Sequence, residues 1–564
     1  MSNIRYELIY ELCLKAHMSF DYNIYNDIHK RNKFHEQLFL SNKSLTDDEK
    51  TKLIKILCQF YDRNNIIYNS GTKRVCENCN QECLATSFCE YCVRNYLKEN
   101  FLNWTSGNDD IDNLIQKCQM ETFMPNKVIE WIPYNNFKNV NYLTKGGFSE
   151  IYTADWIDGY YEEWDFKNQQ LVRNGTQEVI LKRLDDAESI NRNWFEEAKS
   201  HLTIGNKWVD IVRCFGLTQD PLNGNYMLVM RKMDMDLRKY LQQKHSQLTW
   251  KERIKIISEI INALYRIVKE NAIHRDLHSG NILYLRVLDC WLIGDLGFCG
   301  PADKSSKCIY GNLPYIAPEL IAGSEHTFAS DIYSIAMLMW EVSSGQPPFI
   351  NYEHDYSLAM KIINGMRPKI VPETPLEYKL LMKQCWDADP LKRPNIKTLR
   401  KQIKEIYLSY QNMENELLQP IVYKPNGLET NSTNSRLISS NIHRFENLPE
   451  PKNATEEEQE VFYSKSYGFK IPDNINEFNK SDIQNVDISI KVNSKKLSNK
   501  IFEMSQVNLN YDIRDYYKKE AIQQIQQIKR ANINININDE NEIYNNPNLH
   551  SKEQNILEIP DELF

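Results

Sequence analysis

Hydrophobic positions recur with two different periods along this 564-residue chain. In SLTDDEKTKLIKILCQFYD, Leu53, Leu57 and Phe60 follow at helical spacing behind Thr46 and Glu49, a pairing that closes a helix N-terminus. Residues 1–75 read as helical throughout, and a small hairpin that packs against something is expected there. Between 137 and 240 the pattern changes to short β-type runs, EIYTADW, EVILKRL and YMLVMRKM, around one helical stretch. From 249 to 408 the helical period returns, with Ile257, Ile261, Leu264 and Val268 on one stripe. A sheet-rich half followed by a helical half predicts an α+β arrangement. Across 410–564, Asn, Lys, Glu, Ser and Gln crowd out large apolar clusters, the composition of a mostly disordered tail. A helix over YYKKEAIQQIQQIKR and a weak strand pattern in NINININ are the only structural signals in it.

Composition narrows the classes. Hydrophobic residues make up 41% of the chain, enough for a large core, and the net charge of −8 excludes a whole-molecule electrostatic grip on nucleic acid. No uninterrupted apolar stretch of about 18 residues is present, so no membrane span is expected. The first residues mix charges into apolar positions, unlike a secretory signal, and the ending PDELF carries no lipidation or retention motif. Of thirteen cysteines, five lie between Cys76 and Cys92 and the others are scattered. That distribution predicts a reducing, intracellular and cytoplasmic setting with one metal site.

The cysteine-rich segment, within 76–135, reads VCENCNQECLATSFCEYC. Each C-x-x-C turn, Cys76/Cys79 and Cys89/Cys92, aims two thiolates at one point, and the two turns together complete a four-thiolate shell suited to structural zinc. Cys83 is left over as an alternative ligand, and redox-active or merely buried thiols are the competing reading. A closed shell leaves no open position for catalysis, so the module is expected to present a surface to a protein partner.

The remaining chemistry lies within 137–408. In KGGFSEIY, Gly146 and Gly147 sit on a turn between strand-like runs, where backbone without a Cβ can approach phosphate closely. In EVILKRL, Lys182 projects from a mostly apolar strand, an expensive place for an ammonium without an anion; an edge-strand lysine reaching water is the plain alternative. FEEAKSHL supplies a carboxylate at Glu197, or at Glu196 if the register slips by one.

AIHRDLHSGNIL then places His274, Arg275 and Asp276 ahead of Asn281, and IGDLGF places Asp295 fourteen residues beyond that asparagine. This series resembles the H-R-D-x-x-x-x-N and D-F-G motifs of the protein kinase superfamily, in particular tyrosine-kinase-like and serine/threonine kinases. Ala317-Pro318-Glu319, Asp331 in SDIYSIAMLMWE and Arg393 in CWDADPLKRP resemble its further landmarks, in the right order. The resemblance implies a bilobal fold, a small β-rich lobe and a large helical lobe, that binds ATP and Mg2+ and acts on a protein substrate. It implies that Lys182 and Glu197 hold the nucleotide, that Asp276 orients the hydroxyl, and that Asn281 and Asp295 ligate magnesium. It also implies a nucleotide pocket of Gly146, Gly147, Phe148, Ile151, Lys182, Met230, Met233 and Leu283. Met230 would be the gatekeeper and Arg231-Lys232-Met233 the hinge.

Several positions depart from the family pattern. Thr144 and Ser149 occupy the outer glycine positions of the phosphate loop, which predicts weaker nucleotide affinity. His278 stands where serine/threonine kinases carry a lysine that touches the γ-phosphate, Asn312 replaces a threonine, and Leu296 replaces phenylalanine. GNLPYIAPE nevertheless resembles the serine/threonine substrate loop. Phosphorylation of Ser305, Ser306 or Tyr310 would order the activation segment against Arg275. The long DWIDGYYEEWDFKNQQLVRNGTQ segment is expected to form a hairpin, packed on the small lobe or docking a partner. A nucleotide-binding pseudokinase scaffold is the alternative function.

Overall fold

In the computed structural model the described residues are 5, 8–9, 12, 27–67, 69–145, 149–184, 194–301, 309–411, 441–443 and 448–464. Helix α1 (Ile28–Ser41) starts at Asp27, whose carboxylate accepts the Lys30 N–H. Helix α2 (Asp47–Ile67) opens with a closed capping box: Glu49 N–H donates to Thr46 Oγ1 at 3.3 Å and Thr46 N–H to Glu49 Oε2 at 2.9 Å. The two helices pair over Phe39, Leu45 and Leu53, the predicted hairpin. Strands β1 (Arg74–Val75) and β2 (Glu82–Cys83) then form a short antiparallel ladder, followed by α3 (Glu90–Glu99) and α4 (Asp109–Glu121).

The small lobe is built from β3 (Glu130–Trp131), β4 (Phe137–Lys145), β5 (Glu150–Trp156), β6 (Tyr161–Asp165), β7 (Gln170–Arg173), β8 (Gln177–Arg183), helix α5 (Trp194–Lys207), β9 (Cys214–Gln219) and β10 (Tyr226–Arg231). Six strands form one sheet in the order β3-β9-β10-β8-β5-β4, antiparallel except for β3 on β9. The parallel edge needs Gly216, since a Cβ there would sit 1.8 Å from the Glu130 carbonyl oxygen. The two-residue period of β8 puts Val179 and Leu181 into one core with Trp156, Phe215 and Val229. Ile180 faces the other core, where α5 contributes Ala198 and Leu202 and α4 contributes Ile111, Leu114 and Ile115.

The apolar face of the β6–β7 hairpin packs on the cysteine module. Its Tyr161, Trp164 and Leu171 enter the core of the cysteine module beside Phe88, Val93 and Leu97. Glu162 at its edge accepts from Lys52 at 2.8 Å and Lys55 at 3.1 Å, both on α2. The predicted hairpin therefore joins this chain's own N-terminal region to the small lobe. A bidentate pair between Arg173 and the buried Glu130 ties it down.

The large lobe contains β11 (Met235–Asp236), α6 (Leu237–Lys244), α7 (Trp250–Lys269), β12 (Ala272–Ile273), β13 (Ile282–Leu285), β14 (Cys290–Ile293), β15 (Gly300–Pro301), β16 (Ile309–Gly311), α8 (Pro318–Ile321), α9 (Phe328–Ser344), α10 (Tyr356–Ile363), α11 (Leu376–Cys385) and α12 (Ile396–Gln411). Beyond them, β17 (Asn441–His443) and α13 (Glu456–Ser464) return to its surface. The stripe on α7 is buried at Ile257, Ile261 and Leu264, and α9 is buried almost all round, as its apolar sequence requires. One helix, α5, lies inside the region between 137 and 240, and α6, LRKYLQQK, starts at its end with Leu237 and Leu241 buried. No described helix is long and apolar enough to cross a membrane.

Most of the segment read as a disordered tail lies outside the described residues, including YYKKEAIQQIQQIKR and NINININ. Its described stretches are ordered: Leu448 and Phe462 pack against the large-lobe core.

A buried ion pair locks the large lobe. Arg393 Nη1 and Nη2 meet Glu319 Oε1 and Oε2 at 2.7 and 2.6 Å, and the guanidinium also donates to the carbonyls of Asp387 and Ala329. Glu319→Gln strands a buried cation, so it should cost about 3–5 kcal/mol in denaturant unfolding of the full chain. A loss below about 1 kcal/mol would show that water reaches the pair.

Candidate active site

Lys182 leaves β8 on the same face as Ile180 and meets two carboxylates. Its Nζ lies 2.8 Å from Glu197 Oε1, with the lysine 6% and the glutamate 0% exposed, and it also bonds Asp295. Glu196 points elsewhere and pairs with Lys199 at 3.6 Å, which decides the register in favour of Glu197. One turn along α5, His201 Nε2 accepts the Leu296 N–H at 3.1 Å and so pins the chain just after Asp295. Asp295 has φ +29°, and its Oδ1 accepts the Gly297 N–H at 3.0 Å. One ammonium against two carboxylates leaves net negative charge, an environment that favours a cation.

The opposite wall is a loop held by buried Asp331 on α9. Its two oxygens accept the N–H groups of His274 at 2.7 Å and Arg275 at 3.0 Å, fixing Arg275 at φ +71°. Burial raises the Asp331 pKa against the pull of the neighbouring His274. Asn281 Nδ2 donates to the Asp276 carbonyl at 2.8 Å, and the Asn281 carbonyl accepts the Gly294 N–H at 2.8 Å, next to Asp295. Asp276 is 7% exposed. Gly311 packs so close that a Cβ there would stand 3.2 Å from Asp276 Oδ1.

His278 Nε2 lies 3.7 Å from Asp276 Oδ2, while its Nδ1 accepts the Gly280 N–H at 3.1 Å. Burial alone would lower the imidazole pKa, but the Asp276 carboxylate outweighs it and the net shift is upward.

Among the residues expected to line a nucleotide pocket, Met230, Met233 and Leu283 share one apolar cluster, and Ile151 on β5 is in register with Lys182. Ile180 joins that cluster. Its place two residues before Lys182 on a strand puts it on the same face as that lysine. Gly146, Gly147 and Phe148 lie outside the described residues, as do Ser305 and Ser306. Thr144 pairs with Ile151, and Ser149 is buried.

A second constellation escaped the sequence reading altogether. Tyr315 donates its hydroxyl to Glu341, which faces Arg238 at 2.9 Å, and the Tyr315 hydroxyl lies 3.4 Å from Ser279 in the loop of Asp276. These residues are far apart in sequence, and no local pattern marks them.

In the cysteine module, Sγ of Cys76 lies 3.6 Å from that of Cys92, and Sγ of Cys79 lies 3.6 Å from that of Cys89. All four sulfurs fall within 4.8 Å of one another. Bonds of about 2.3 Å to a tetrahedral ion put sulfurs ~3.8 Å apart, so the set fits zinc. Cys83 turns its sulfur toward the Arg74 carbonyl at 3.4 Å. Burial pushes the Cys76 thiol up, but the N–H groups of Cys79 and Asn78 outweigh it and bring the pKa down to about 7. Burial pushes Cys92 up to about 11.

A sequence model of the protein tyrosine and serine/threonine kinase family matches residues 137–403. Among curated proteins of Dictyostelium discoideum, the dual specificity protein kinase zakA is 33% identical over 184 residues, 30% of this chain and 23% of that one. The probable serine/threonine-protein kinase roco7 is 26% identical over 305 residues, 51% of this chain and 11% of its own. A probable LIM domain-containing serine/threonine-protein kinase is 31% identical over 172 residues, 30% of this chain and 26% of that one. The chain thus spans between about a tenth and a quarter of the length of these relatives. Residues 137–403 thus carry a domain of the protein kinase superfamily.

Proposed function

We propose that this chain transfers the γ-phosphoryl group of Mg-ATP to serine or threonine hydroxyls of proteins in an intracellular signalling role. The observation that carries the reading is Lys182 clamped by Glu197 and Asp295 across from the loop of Asp276 and Asn281. Lys182 would take the nucleotide phosphates, with Glu197 holding the ammonium in place. Asn281 and Asp295 offer the hard oxygen ligands that magnesium prefers, and the ion would offset charge on the transferred group. Asp276 would orient the substrate hydroxyl. Its oxygen bonds to the γ-phosphorus as the bond to the bridging oxygen of ADP breaks, and its proton passes to the Asp276 carboxylate. Relatives named serine/threonine kinases and the GNLPYIAPE loop support the choice of hydroxyl.

Structural zinc on Cys76, Cys79, Cys89 and Cys92 completes the reading. The test is label transfer from γ-labelled ATP to serine, threonine and tyrosine peptide libraries, with Asp276→Asn as control. Transfer to serine and threonine above the control supports the proposal. Equal background in both would favour a scaffold, a reading to which the contact between His278 and Asp276 lends weight.

His278 gives a pH prediction. Its pKa is raised, so the imidazolium, which forms at the expense of the bond that neutral Nδ1 accepts from the Gly280 N–H, survives above the ordinary histidine value and is lost as pH rises through the folded value. If that charge serves the γ-phosphate as the family lysine does, kcat/KM should fall as pH climbs through that value. His278→Lys should hold the rate flat to about pH 9. Superimposable profiles for the two proteins would remove the role.

A further inference from the structure

The activation segment carries a strand, β16, that ends at Gly311, and Gly311 lies against the Asp276 carboxylate. A lone strand edge there is a row of unpaired backbone donors and acceptors that any extended peptide could match. In this chain the edge is occupied. Strand β17 pairs with it antiparallel, with Ile309 opposite His443, Tyr310 opposite Ile442 and Gly311 opposite Asn441. His443 Nε2 adds a bond of 3.0 Å to the Gly311 carbonyl.

The following segment is bolted to the large lobe by contacts that do not depend on the strand. Lys452 N–H donates to the Ile363 carbonyl at 3.0 Å. Asn453 bridges the Ala388 N–H at 2.9 Å and the Asp387 carboxylate at 2.8 Å. Gln459 donates to the Gly365 carbonyl at 2.6 Å, and the Tyr463 hydroxyl donates to the Arg367 carbonyl at 3.1 Å. Gly365 is crossed so closely that a Cβ would sit 2.2 Å from the Ala454 nitrogen. Such an anchor keeps the short strand at high effective concentration beside the edge, although three residues of pairing would be weak alone.

We propose that the outer edge of Ile309–Gly311 is a strand-addition site for extended peptide substrates, and that Asn441–His443 fills it in cis and competes with them. The consequence for catalysis rests on the kinase reading; the contact itself does not. Main-chain pairing selects little by sequence, so the site would accept varied extended peptides once the tail leaves.

Two variants of the full chain release the strand by different routes. Ile442→Pro with His443→Ala disrupts the pairing, because proline removes an N–H and restricts the backbone. Gln459→Ala with Tyr463→Ala loosens the anchor. Hydrogen exchange at residues 309–311 and the Michaelis constant for a serine/threonine peptide library are measured on both and on wild type. Exchange about tenfold faster and a peptide KM about tenfold lower are expected, as when the open state was populated about a tenth of the time. Equal protection in all three proteins overturns the proposal, and so does faster exchange with an unchanged peptide KM. Faster exchange in proteins that transfer no more label than Asp276→Asn upholds the contact and sinks the phosphotransfer reading instead.

Discussion

Asparagine at position 276 is expected to lower kcat for peptide phosphorylation by about 10²–10⁴-fold, the range that a positioned general base contributes. The Michaelis constant for ATP should stay within about twofold, because the residue acts on the hydroxyl and not on the nucleotide. The structure explains why this variant should leave the loop in place, although it also removes the carboxylate that faces His278 at 3.7 Å. The loop is held by backbone contacts: the Asp276 carbonyl accepts from Asn281, and Asp331 grips the N–H groups of His274 and Arg275. None of these uses the side chain that is changed. Asparagine has the same shape, so Gly311 still fits against it. Lys182→Met should behave differently, raising the ATP constant and leaving Glu197 and Asp295 without their shared cation. An Asp276→Asn protein that keeps more than a tenth of wild-type kcat would reject Asp276 as the base.

Loss of the metal from the cysteine module should have the second large effect. Structural zinc contributes about 10–16 kcal/mol of apparent binding energy, which becomes folding energy where the apo site does not persist. The sulfurs of Cys76, Cys79, Cys89 and Cys92 share the module's core with Phe88, Val93 and Leu97, and Tyr161, Trp164 and Leu171 of the β6–β7 hairpin close it. Unfolding the module therefore strips the hairpin of its apolar cover and Glu162 of the setting for its two lysines. The loss also reaches the kinase. Helix α4 leads out of the module and packs Ile111, Leu114 and Ile115 beside Ala198 and Leu202 of α5, the helix that carries Glu197. Cys76→Ser with Cys89→Ser should lower the first melting transition by roughly 10 °C or more. It should also expose residues 70–105 to protease. Activity should fall through a higher ATP constant, since Glu197 then loses support for Lys182. Purified protein without one zinc per chain would reject the metal, and unchanged kinetics in the variant would uncouple the module from the small lobe.

Much of the site was legible because its chemistry is local. The spacing from Asp276 to Asn281 and on to Asp295 is a property of one loop and one hairpin, β13 and β14, so a linear reading captures it. The same holds for Cys76 and Cys79, or Cys89 and Cys92, since each pair belongs to a single turn. Capping at Thr46 and Glu49 and the stripe on α7 are likewise fixed within a few residues.

What only the tertiary structure decided are the pairings across long separations. Sequence left Glu196 and Glu197 as alternatives; the packing angle of α5 on the sheet puts Glu197 under Lys182 and Glu196 in reach of Lys199. The β6–β7 hairpin was visible as a hairpin, but its partner was decided by the apolar face of a module at the other end of α4. Arg238, Glu341, Tyr315 and Ser279 meet only because a buried charge must find its opposite inside the folded lobe. The docking of Asn441–His443 on Ile309–Gly311 has no sequence signature, because apart from one bond from the His443 ring the strands pair through main-chain groups, which every residue carries.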